Sequence, residues 1–295
     1  MAKNMLKNEE LTITIDNFGA ELSSIKDTKT GVEYLWNADE TYWKRHSPVL
    51  FPIVGSLKDK QYSYNNNVYS MSQHGFARDK SMDIVKKEEN EIWFQLVADE
   101  ETKRAYPFDF TLEIGYRLQG RKISVLWKVI NTGEEKMYFQ IGAHPAFLCP
   151  IRENEKQTDY KIDFHTEEEL TYKLLSKDGL LEAKEYELST VEGVLQVTNH
   201  LFDKDALVIE KPYTNRISLK TPENKDYVTV HFDAPVVGIW SPAGRCAPFI
   251  CIEPWYGRCD ASDFNGTLEE REWINELSEK EEFQASYEIE IGKLD

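Results

Sequence analysis

The sequence predicts an all-β protein built from stacked, mostly antiparallel sheets, and three observations lead to this prediction. Segments of alternating apolar and polar residues recur along nearly the whole chain. Short turns rich in glycine and asparagine separate them. A helix-like composition occurs only at Leu268–Ser278, where a short helix or turn is expected. Since no repeat, linker or low-complexity segment interrupts the pattern, residues 1–295 are predicted to form one sandwich domain.

The predicted strands include one long hairpin, in which alternation continues through Phe108–Leu118 and Ile123–Val129. Leu126 and Ile130 add apolar residues to its second face, and stacked sheets require such burial on both sides. Pro48–Val54 is apolar but interrupted by prolines, which predicts a loop fixed at a sheet edge. The other predicted strands are Leu11–Ile15, Glu21–Ile25, Val32–Trp36, Ile92–Ala98, Met137–Ala143, Asp205–Ile209, Ile217–Lys220, Tyr227–Phe232, Val236–Trp240, Phe249–Glu253 and Phe283–Ile291.

The composition narrows the range of partners. A formal net charge of −17 at pH 7 opposes binding to nucleic acid or to an anionic membrane. No apolar run reaches the length of a membrane span, and residues 1–10 lack a hydrophobic signal region, so a cytoplasmic location is expected. The four cysteines include no C-x-x-C pair, which favours free thiols over disulfides or a zinc site.

A carboxylate beside two aromatic residues is the most informative local feature. Side chains alternate along Phe249–Glu253, so Glu253 lies on the face opposite the two isoleucines. Pro254 is expected to end regular pairing and to hold Glu253 extended on a rigid rim, with Trp255 and Tyr256 next to it. Sugars present C–H faces to aromatic rings and hydroxyls to carboxylates. A solvated rim carboxylate is the alternative interpretation.

Two histidine segments have a similar character. In one, a strand leads to His144, which Pro145 holds extended, and an aromatic residue follows. In the other, a glycine after His74 allows close backbone approach, so that His74 and Arg78 can converge on an oxygen-rich ligand. Taken alone, each segment is also compatible with a structural histidine and a hydrated or ion-paired arginine.

Four fragments occur in a fixed order along the chain: QHGFAR at 73–78, GAHPAF at 142–147, LFDKDAL at 201–207 and CIEPWYG at 251–257. Together they resemble the aldose 1-epimerase (galactose mutarotase) family, and within it the LacX-like branch. The resemblance spans nearly the whole chain. It implies a galactose-mutarotase-like β-supersandwich and an isomerase that interconverts the α and β anomers of a hexose in carbohydrate metabolism.

The resemblance also implies substrate-binding residues. His74 matches the substrate-binding histidine, and Arg78 matches the arginine that follows it in the hexose-6-phosphate epimerase branch. Asp205, rather than Asp203, matches the aspartate that grips sugar hydroxyls, and Trp255 is expected to contact the sugar. The Asn-Arg pair that galactose mutarotases carry before this histidine has no counterpart here. Arg78 is therefore expected to be the main positive group, and a neutral hexose is expected to be the substrate.

By the same resemblance His144 matches the general acid and Glu253 the general base. Opening a hemiacetal requires a base at the C1 hydroxyl and an acid at the ring oxygen, and no cofactor or metal is needed. Reference pKa values of about 6.5 and about 4.3 suit these roles, and nearby carboxylates are expected to raise the pKa of His144. The two groups should face each other across an open cleft, roughly 5–8 Å apart with a pyranose ring between them, beyond hydrogen-bond range at about 2.7–3.2 Å.

Other functions remain open from the sequence. A hexose-6-phosphate 1-epimerase is one alternative, and a non-catalytic sugar-binding protein on the same fold is another. A glycoside-cleaving enzyme usually needs two carboxylates, and His144 in the acid position counts against it. The expected partner is a small-molecule aldose, bound by a monomer or homodimer.

Overall fold

The computed structural model describes residues 3–294, which form stacked β-sheets as predicted. The strands are β1 (Lys3–Lys7), β2 (Leu11–Asp16), β3 (Leu22–Asp27), β4 (Val49–Leu50), β5 (Gln61–Tyr64), β6 (Asn67–Ser70), β7 (Asp83–Lys87), β8 (Glu91–Val97), β9 (Phe110–Gln119), β10 (Lys122–Asn131), β11 (Met137–Phe139), β12 (Ile141–Ala143), β13 (Ala146–Leu148), β14 (Lys161–Asp163), β15 (Thr171–Leu175), β16 (Leu181–Glu187), β17 (Val194–Gln196), β18 (Leu207–Glu210), β19 (Arg216–Lys220), β20 (Asp226–Phe232), β21 (Val236–Trp240), β22 (Phe249–Tyr256), β23 (Asn275–Leu277) and β24 (Glu282–Ile291). A single α-helix within this range, α1 (Glu100–Ala105), and short 3-10 segments at Lys58–Lys60, Ala77–Asp79, Gln157–Asp159 and Leu268–Glu270 complete the fold.

Two large antiparallel sheets carry most of the strands. The nine-stranded sheet has the order β17-β14-β19-β20-β24-β10-β9-β8-β7. The eight-stranded sheet has the order β16-β15-β18-β21-β22-β12-β4, and β13 also pairs with β22. Smaller sheets are β1-β2-β3, β11-β23 and β5-β6. Among residues 3–294 there is no helix with the length and apolar character needed to cross a membrane.

The main apolar core joins the two large sheets. Ile114 of β9 and Val125 of β10 belong to the same buried cluster as Ile250 and Ile252 of β22. Cys251, between the two isoleucines, belongs to a separate cluster on the opposite face of the eight-stranded sheet. The predicted alternation along β22 is therefore confirmed, and it leaves one face of this strand free for a site.

The long hairpin is confirmed as β9 and β10, which pair in continuous register from Lys122↔Gln119 to Asn131↔Phe110. Leu126 and Ile130 are only half-buried, so the second face of β10 is partly covered. The apolar segment with two prolines contributes β4 to the edge of the eight-stranded sheet, as expected.

Other segments differ from the prediction. Val32–Trp36 forms only isolated bridges, not a strand. Met137–Ala143 divides into β11 and β12 because the chain leaves one sheet for another at Gln140. Asp99 caps helix α1 by accepting a hydrogen bond from the Thr102 backbone N–H at 2.7 Å, a capping signal that periodicity does not detect. At Leu268–Ser278 a 3-10 turn precedes strand β23.

Pro254 does not end its strand, contrary to the prediction. Strand β22 continues to Tyr256 and pairs with β21 from Cys251 to Trp255, including Val237↔Pro254. On its other side the partner changes, since Cys251 pairs with β13 and Trp255 with β12. The missing N–H of Pro254 falls in the gap between these partners, where little pairing is lost.

Candidate active site

One cavity of about 210 Å³ brings together side chains from all four sequence fragments. It is smaller than the roughly 300–1,000 Å³ of typical drug-sized pockets, as suits a small molecule. The predicted site residues that line it are His74, Arg78, His144, Asp205, Glu253 and Trp255. The structure therefore places all six around the same space, on the face of the eight-stranded sheet opposite the main core.

His144 and Glu253 are in direct contact at the centre of the sheet. Glu253 lies within β22 and is 1% exposed, so it is not a rim residue. His144 lies in the link between β12 and β13, where that link passes beside β22. The His144 Nε2 and Glu253 Oε2 atoms are 3.3 Å apart. The expected separation of roughly 5–8 Å, with a sugar ring between the groups, is wrong.

Burial controls the charge of this pair. Desolvation lowers the pKa of His144 to about 3, and the positive charge of Arg78 acts in the same direction. Desolvation raises the pKa of the Glu253 carboxyl well above its usual range, with the charge of Asp205 adding to the effect. The expectation that nearby carboxylates raise the pKa of His144 is wrong, because burial outweighs them. Both shifts favour the uncharged forms, a protonated Glu253 and a neutral His144.

Two polar atoms of the pair are buried without a hydrogen-bond partner. Within residues 3–294, neither His144 Nδ1 nor Glu253 Oε2 has one. An unpaired buried polar atom costs roughly 1–3 kcal/mol. Native proteins keep such atoms where function uses them, so this arrangement favours a site that a ligand completes.

His74 is held by two backbone contacts with the segment before it. Its N–H donates to the Gly55 carbonyl at 2.9 Å, and the Gly55 N–H donates to His74 Nδ1 at 3.0 Å. Because Nδ1 accepts, the neutral ring carries its hydrogen on Nε2. Burial lowers the pKa of His74 well below its usual value, with the charge of Arg78 next in effect. His74 is thus a fixed neutral ring with one free donor.

The loop geometry around His74 explains the glycine that follows it. His74 and Gly75 both have left-handed backbone angles, with φ of 66° and 71°. A Cβ atom at Gly75 would lie 2.2 Å from the Phe51 carbonyl oxygen. The close backbone approach expected from the sequence is therefore present, and only glycine allows it.

Arg78 is the cation that lines the cavity. Its Nη2 donates to the Gln73 carbonyl at 2.7 Å, while its buried Nε has no hydrogen-bond partner within the described residues. Burial lowers the pKa of Arg78 to about 10, and the charge of Arg45 adds to this, so Arg78 remains cationic at pH 7. Asp79 lies between the two arginines, 2.7 Å from Arg45 Nη2 and 3.8 Å from Arg78 Nε. The three side chains carry a net charge of +1.

Asp205, not Asp203, lines the cavity. Asp205 has a left-handed φ of 73°, and its Oδ1 accepts from the Ala206 N–H at 2.7 Å. Asp203 instead contacts His200 Nδ1 at 2.8 Å on the exposed turn. Both aspartates precede β18, which begins at Leu207 and not at Asp205 as predicted.

Aromatic side chains surround the His144–Glu253 pair, and the sequence analysis identified only one of them. Trp255 is 5% exposed and forms a wall of the cavity, with its Nε1 donating to the Ala143 carbonyl at 3.2 Å. Trp43 stacks on the His144 ring with centroids 4.7 Å apart, and Trp240 meets that ring edge-on at 5.3 Å. The position of Trp240 at the end of a predicted strand was the one signal in the sequence that could have identified it. Trp43 and Arg45 lie in a segment without regular secondary structure, for which periodicity makes no prediction.

The family model described as aldose 1-epimerase matches residues 3–268 of this chain. The chain belongs to the aldose 1-epimerase family. Chromosomal protein LacX of Lactococcus lactis subsp. lactis is 32% identical over 295 residues, with 97% of this chain and 98% of LacX covered.

Solved structures agree with this family assignment over the whole fold. A galactose mutarotase related enzyme from Lactobacillus acidophilus is 34% identical with a TM-score of 0.94, covering 99% of this chain and 98% of that chain. A galactose mutarotase-like protein from Lactobacillus casei is 28% identical with a TM-score of 0.93, covering 99% and 100%. The mutarotase-like β-supersandwich predicted from the four fragments is thus confirmed.

Proposed function

We propose that this family member is an aldose 1-epimerase, an isomerase that interconverts the α and β anomers of a hexose in carbohydrate metabolism. The observation that carries the proposal is the buried contact of His144 with Glu253, 3.3 Å apart, in a small cavity. In this proposal Glu253 is the general base and His144 the general acid, while His74, Arg78 and Asp205 bind the sugar. Membership of the family supports the same assignment.

The short distance between the pair suits the reaction. The two oxygens that exchange protons, the C1 hydroxyl and the ring oxygen, are both bonded to C1. An acid and a base in contact can address both oxygens from one side, with the sugar lying over the edge of the pair. Two groups on opposite sides of a ring would instead place one of them away from the reacting atoms.

One proton on the pair is enough for a full cycle. Its transfer from Glu253 to His144 gives a carboxylate and an imidazolium. The carboxylate takes the C1 hydroxyl proton while the imidazolium protonates the ring oxygen, and the ring opens. This step returns the pair to the neutral form that burial favours without a ligand. After rotation about C1–C2, the reverse proton transfers close the ring as the other anomer.

The charges around the cavity favour a neutral hexose. Arg78 and Arg45 share Asp79, so these three side chains carry one net positive charge, and Asp205 adds a carboxyl group to the lining of the cavity. A phosphate group normally requires two or more uncompensated cations. A hexose 6-phosphate is the second candidate, and the presence of Arg45 beside Arg78 is the observation in its favour.

The test is to follow freshly dissolved α-glucose, α-galactose and α-glucose 6-phosphate by polarimetry or NMR, with and without protein. The proposal expects a faster approach to an unchanged anomeric equilibrium, with the neutral sugars preferred. Calorimetry on the same sugars separates the alternatives. Sugar binding without any acceleration would make the chain a non-catalytic sugar-binding protein.

A further inference from the structure

A third metal-ligating side chain lies against the His144–Glu253 pair. Cys251 is two residues before Glu253 on β22, and both side chains point to the same face of the sheet. A ring nitrogen of His144, the sulfur of Cys251 and a carboxylate oxygen of Glu253 all lie within 4.8 Å of one another. All three residues are buried, and the proposed acid–base chemistry makes no use of the thiol.

The three donors are of the types that bind zinc. Zinc binds Cys sulfur at about 2.3 Å, His nitrogen at about 2.0–2.1 Å and carboxylate oxygen at about 2.0–2.2 Å. Ligand atoms around such a tetrahedral ion lie about 3.3–3.8 Å apart, so movements of about 1 Å would complete the site. Glu253 Oε2, which lies 3.3 Å from His144 Nε2, has no hydrogen-bond partner within residues 3–294, so no hydrogen bond of this oxygen has to be broken. His144 and Glu253 also line the cavity, which gives an ion access to the group.

The positions of nearby lysines distinguish this group from two other groups of possible metal ligands. The groups Asp163–His165–Asp226 and His231–Glu288–Glu290 also offer three ligand atoms each. In the first, Lys220 Nζ lies 3.0 Å from Asp163 and 2.7 Å from Asp226, and in the second, Lys122 Nζ lies 2.8 Å from Glu288. A lysine ammonium already occupies the position of a cation in both. The group at Cys251 has no lysine among its described ion pairs.

We propose that His144, Cys251 and Glu253 form a binding site for a borderline-soft divalent cation such as Zn²⁺, and that its occupation blocks the acid–base pair. Binding releases the thiol proton and the proton held by the pair to solvent. The thiolate and the carboxylate then balance the two positive charges, so the buried complex is neutral. Sulfur and nitrogen donors select zinc, cobalt and copper over magnesium and calcium. The inhibition rests on the proposed function, whereas the binding does not.

The test of binding uses Co²⁺ as a probe, because a cobalt–thiolate bond gives a charge-transfer band in the near ultraviolet. The parent and every variant in this test carry Cys246→Ser, because the exposed Cys246 thiol would otherwise offer a second thiolate to cobalt. Cys251→Ser is compared with Cys259→Ser, a matched control because both cysteines are buried and free but Cys259 lies outside the three-residue group. The parent and the control should show the band at one Co²⁺ per chain, and Cys251→Ser should not. Affinity for Zn²⁺ should fall by about 100-fold or more in Cys251→Ser.

Absence of the band in the parent protein overturns the site, as does its loss in Cys259→Ser but not in Cys251→Ser. If Cys251→Ser fails to fold, Cys251→Ala takes its place. Zinc should also inhibit anomerisation by the parent, reversibly with EDTA, at concentrations about 100-fold below those that affect Cys251→Ser. If the parent has no anomerisation activity, the proposed function fails while the cobalt spectrum still decides the site. Activity that survives full cobalt loading overturns the inhibitory role.

Discussion

Glu253 has an unusual setting for a carboxyl group, because it lies inside a buried strand beside a histidine rather than beside an arginine or lysine. Buried carboxylates are normally paired with a fixed cation, and isolated ones shift their pKa and become neutral. Arg78 lines the same cavity but gives its hydrogen bond to the Gln73 carbonyl, not to Glu253. In the proposed mechanism the chemistry therefore depends on one proton that Glu253 shares with His144.

Glu253→Gln should lower kcat by about 10²-fold or more while sugar affinity is largely retained. Glutamine keeps the shape and hydrogen-bond capacity of the side chain but cannot accept the C1 proton. A residue that acts only in the chemical step changes kcat with little effect on ground-state binding. The measurement is the anomerisation rate at saturating sugar, with binding followed by calorimetry, and His144→Asn should behave alike. Near-normal turnover by Glu253→Gln would remove Glu253 from the mechanism.

The same variant should gain thermal stability relative to the parent as pH rises from 4 to 8. The pKa of Glu253 is raised in the folded state, so the unfolded state loses its proton first, above about pH 4.3. The Glu253 contribution to the parent's stability then falls with rising pH, by at most about 1.4 kcal/mol per pH unit, while the opposite contribution of His144 is present in both proteins and cancels in the comparison. Calorimetric Tm values across this pH range measure the difference. A carboxylate–imidazolium pair at rest would instead leave the difference in Tm unchanged above about pH 4.3, because a lowered Glu253 pKa contributes its full stability there.

Asp205→Asn should raise KM by about tenfold or more with a smaller effect on kcat, and Arg78→Ala should do the same. Both residues line the cavity without contacting the acid–base pair in any described hydrogen bond. A hydrogen bond to a charged group is worth about 1.5–3 kcal/mol. Asp203→Asn is the matched control, since Asp203 contacts His200 on the exposed turn. Equal effects of the two aspartate variants on KM would contradict the assignment of Asp205.

At the scale of elements, β22 and its two neighbours form the frame of the site. The Trp255 ring lies across glycines of the adjoining strands: a Cβ atom at Gly238 or at Gly142 would lie 2.6 Å from it. These glycines let the ring lie flat against the sheet and form a wall of the cavity. The shape of the cavity thus depends on having glycine at positions 142 and 238 as much as on the aromatic ring.

Gly238→Ala should destabilise the protein by about 1–3 kcal/mol, because the added methyl group must displace the Trp255 ring. Movement of this wall should also lower kcat/KM for the sugar. Urea unfolding and the anomerisation assay measure the two effects. Gly133→Ala is the control, since a Cβ atom there has its nearest neighbour at 3.3 Å and the position lies outside the cavity. A loss of stability no larger than that of the control would show that the wall can adjust.

Elements with strong period-2 patterns were predictable, and those governed by tertiary context were not. The β9–β10 hairpin and β24 follow directly from alternation over ten residues each. The division at Gln140 into two strands of different sheets leaves no trace in the pattern, because apolar residues are buried on either side of it. The predicted end of the strand at Pro254 rests on the local preference of proline. The change of partner strand beside Pro254 lets β22 continue instead.

At the scale of the whole molecule, the sequence predicted which residues lie around one cavity, but not the distances between them or the effect of burial on their pKa values. The convergence of four distant fragments came from their resemblance to a family, since single motifs carry no information about distance. The 3.3 Å contact of His144 with Glu253 depends on a change of pairing partner along β22, from β13 at Cys251 to β12 at Trp255. His144 lies in the link between these two partner strands. The pKa directions follow from burial, which a linear motif does not report.

The net charge of −17 and the arrangement of Arg45, Asp79 and Arg78 lead to a prediction about substrate choice. An acidic surface repels a sugar phosphate, and Asp79 cancels one of the two arginine charges near the cavity. Asp79→Asn should therefore raise the ratio of kcat/KM for glucose 6-phosphate to that for glucose by about fivefold or more. One unit charge at 4 Å is worth about 1 kcal/mol even in water.

The control for this substitution is Asp83→Asn, which changes the total charge equally on an exposed strand outside the cavity. Parallel anomerisation assays with both sugars at low ionic strength give the two ratios, and added salt should reduce the effect of Asp79→Asn. If the two variants shift the ratio equally, the overall field of the protein, rather than the arginine pair, governs selection. A parent protein that already prefers glucose 6-phosphate would reverse the order of substrates, because Arg45 and Arg78 would then bind phosphate despite Asp79.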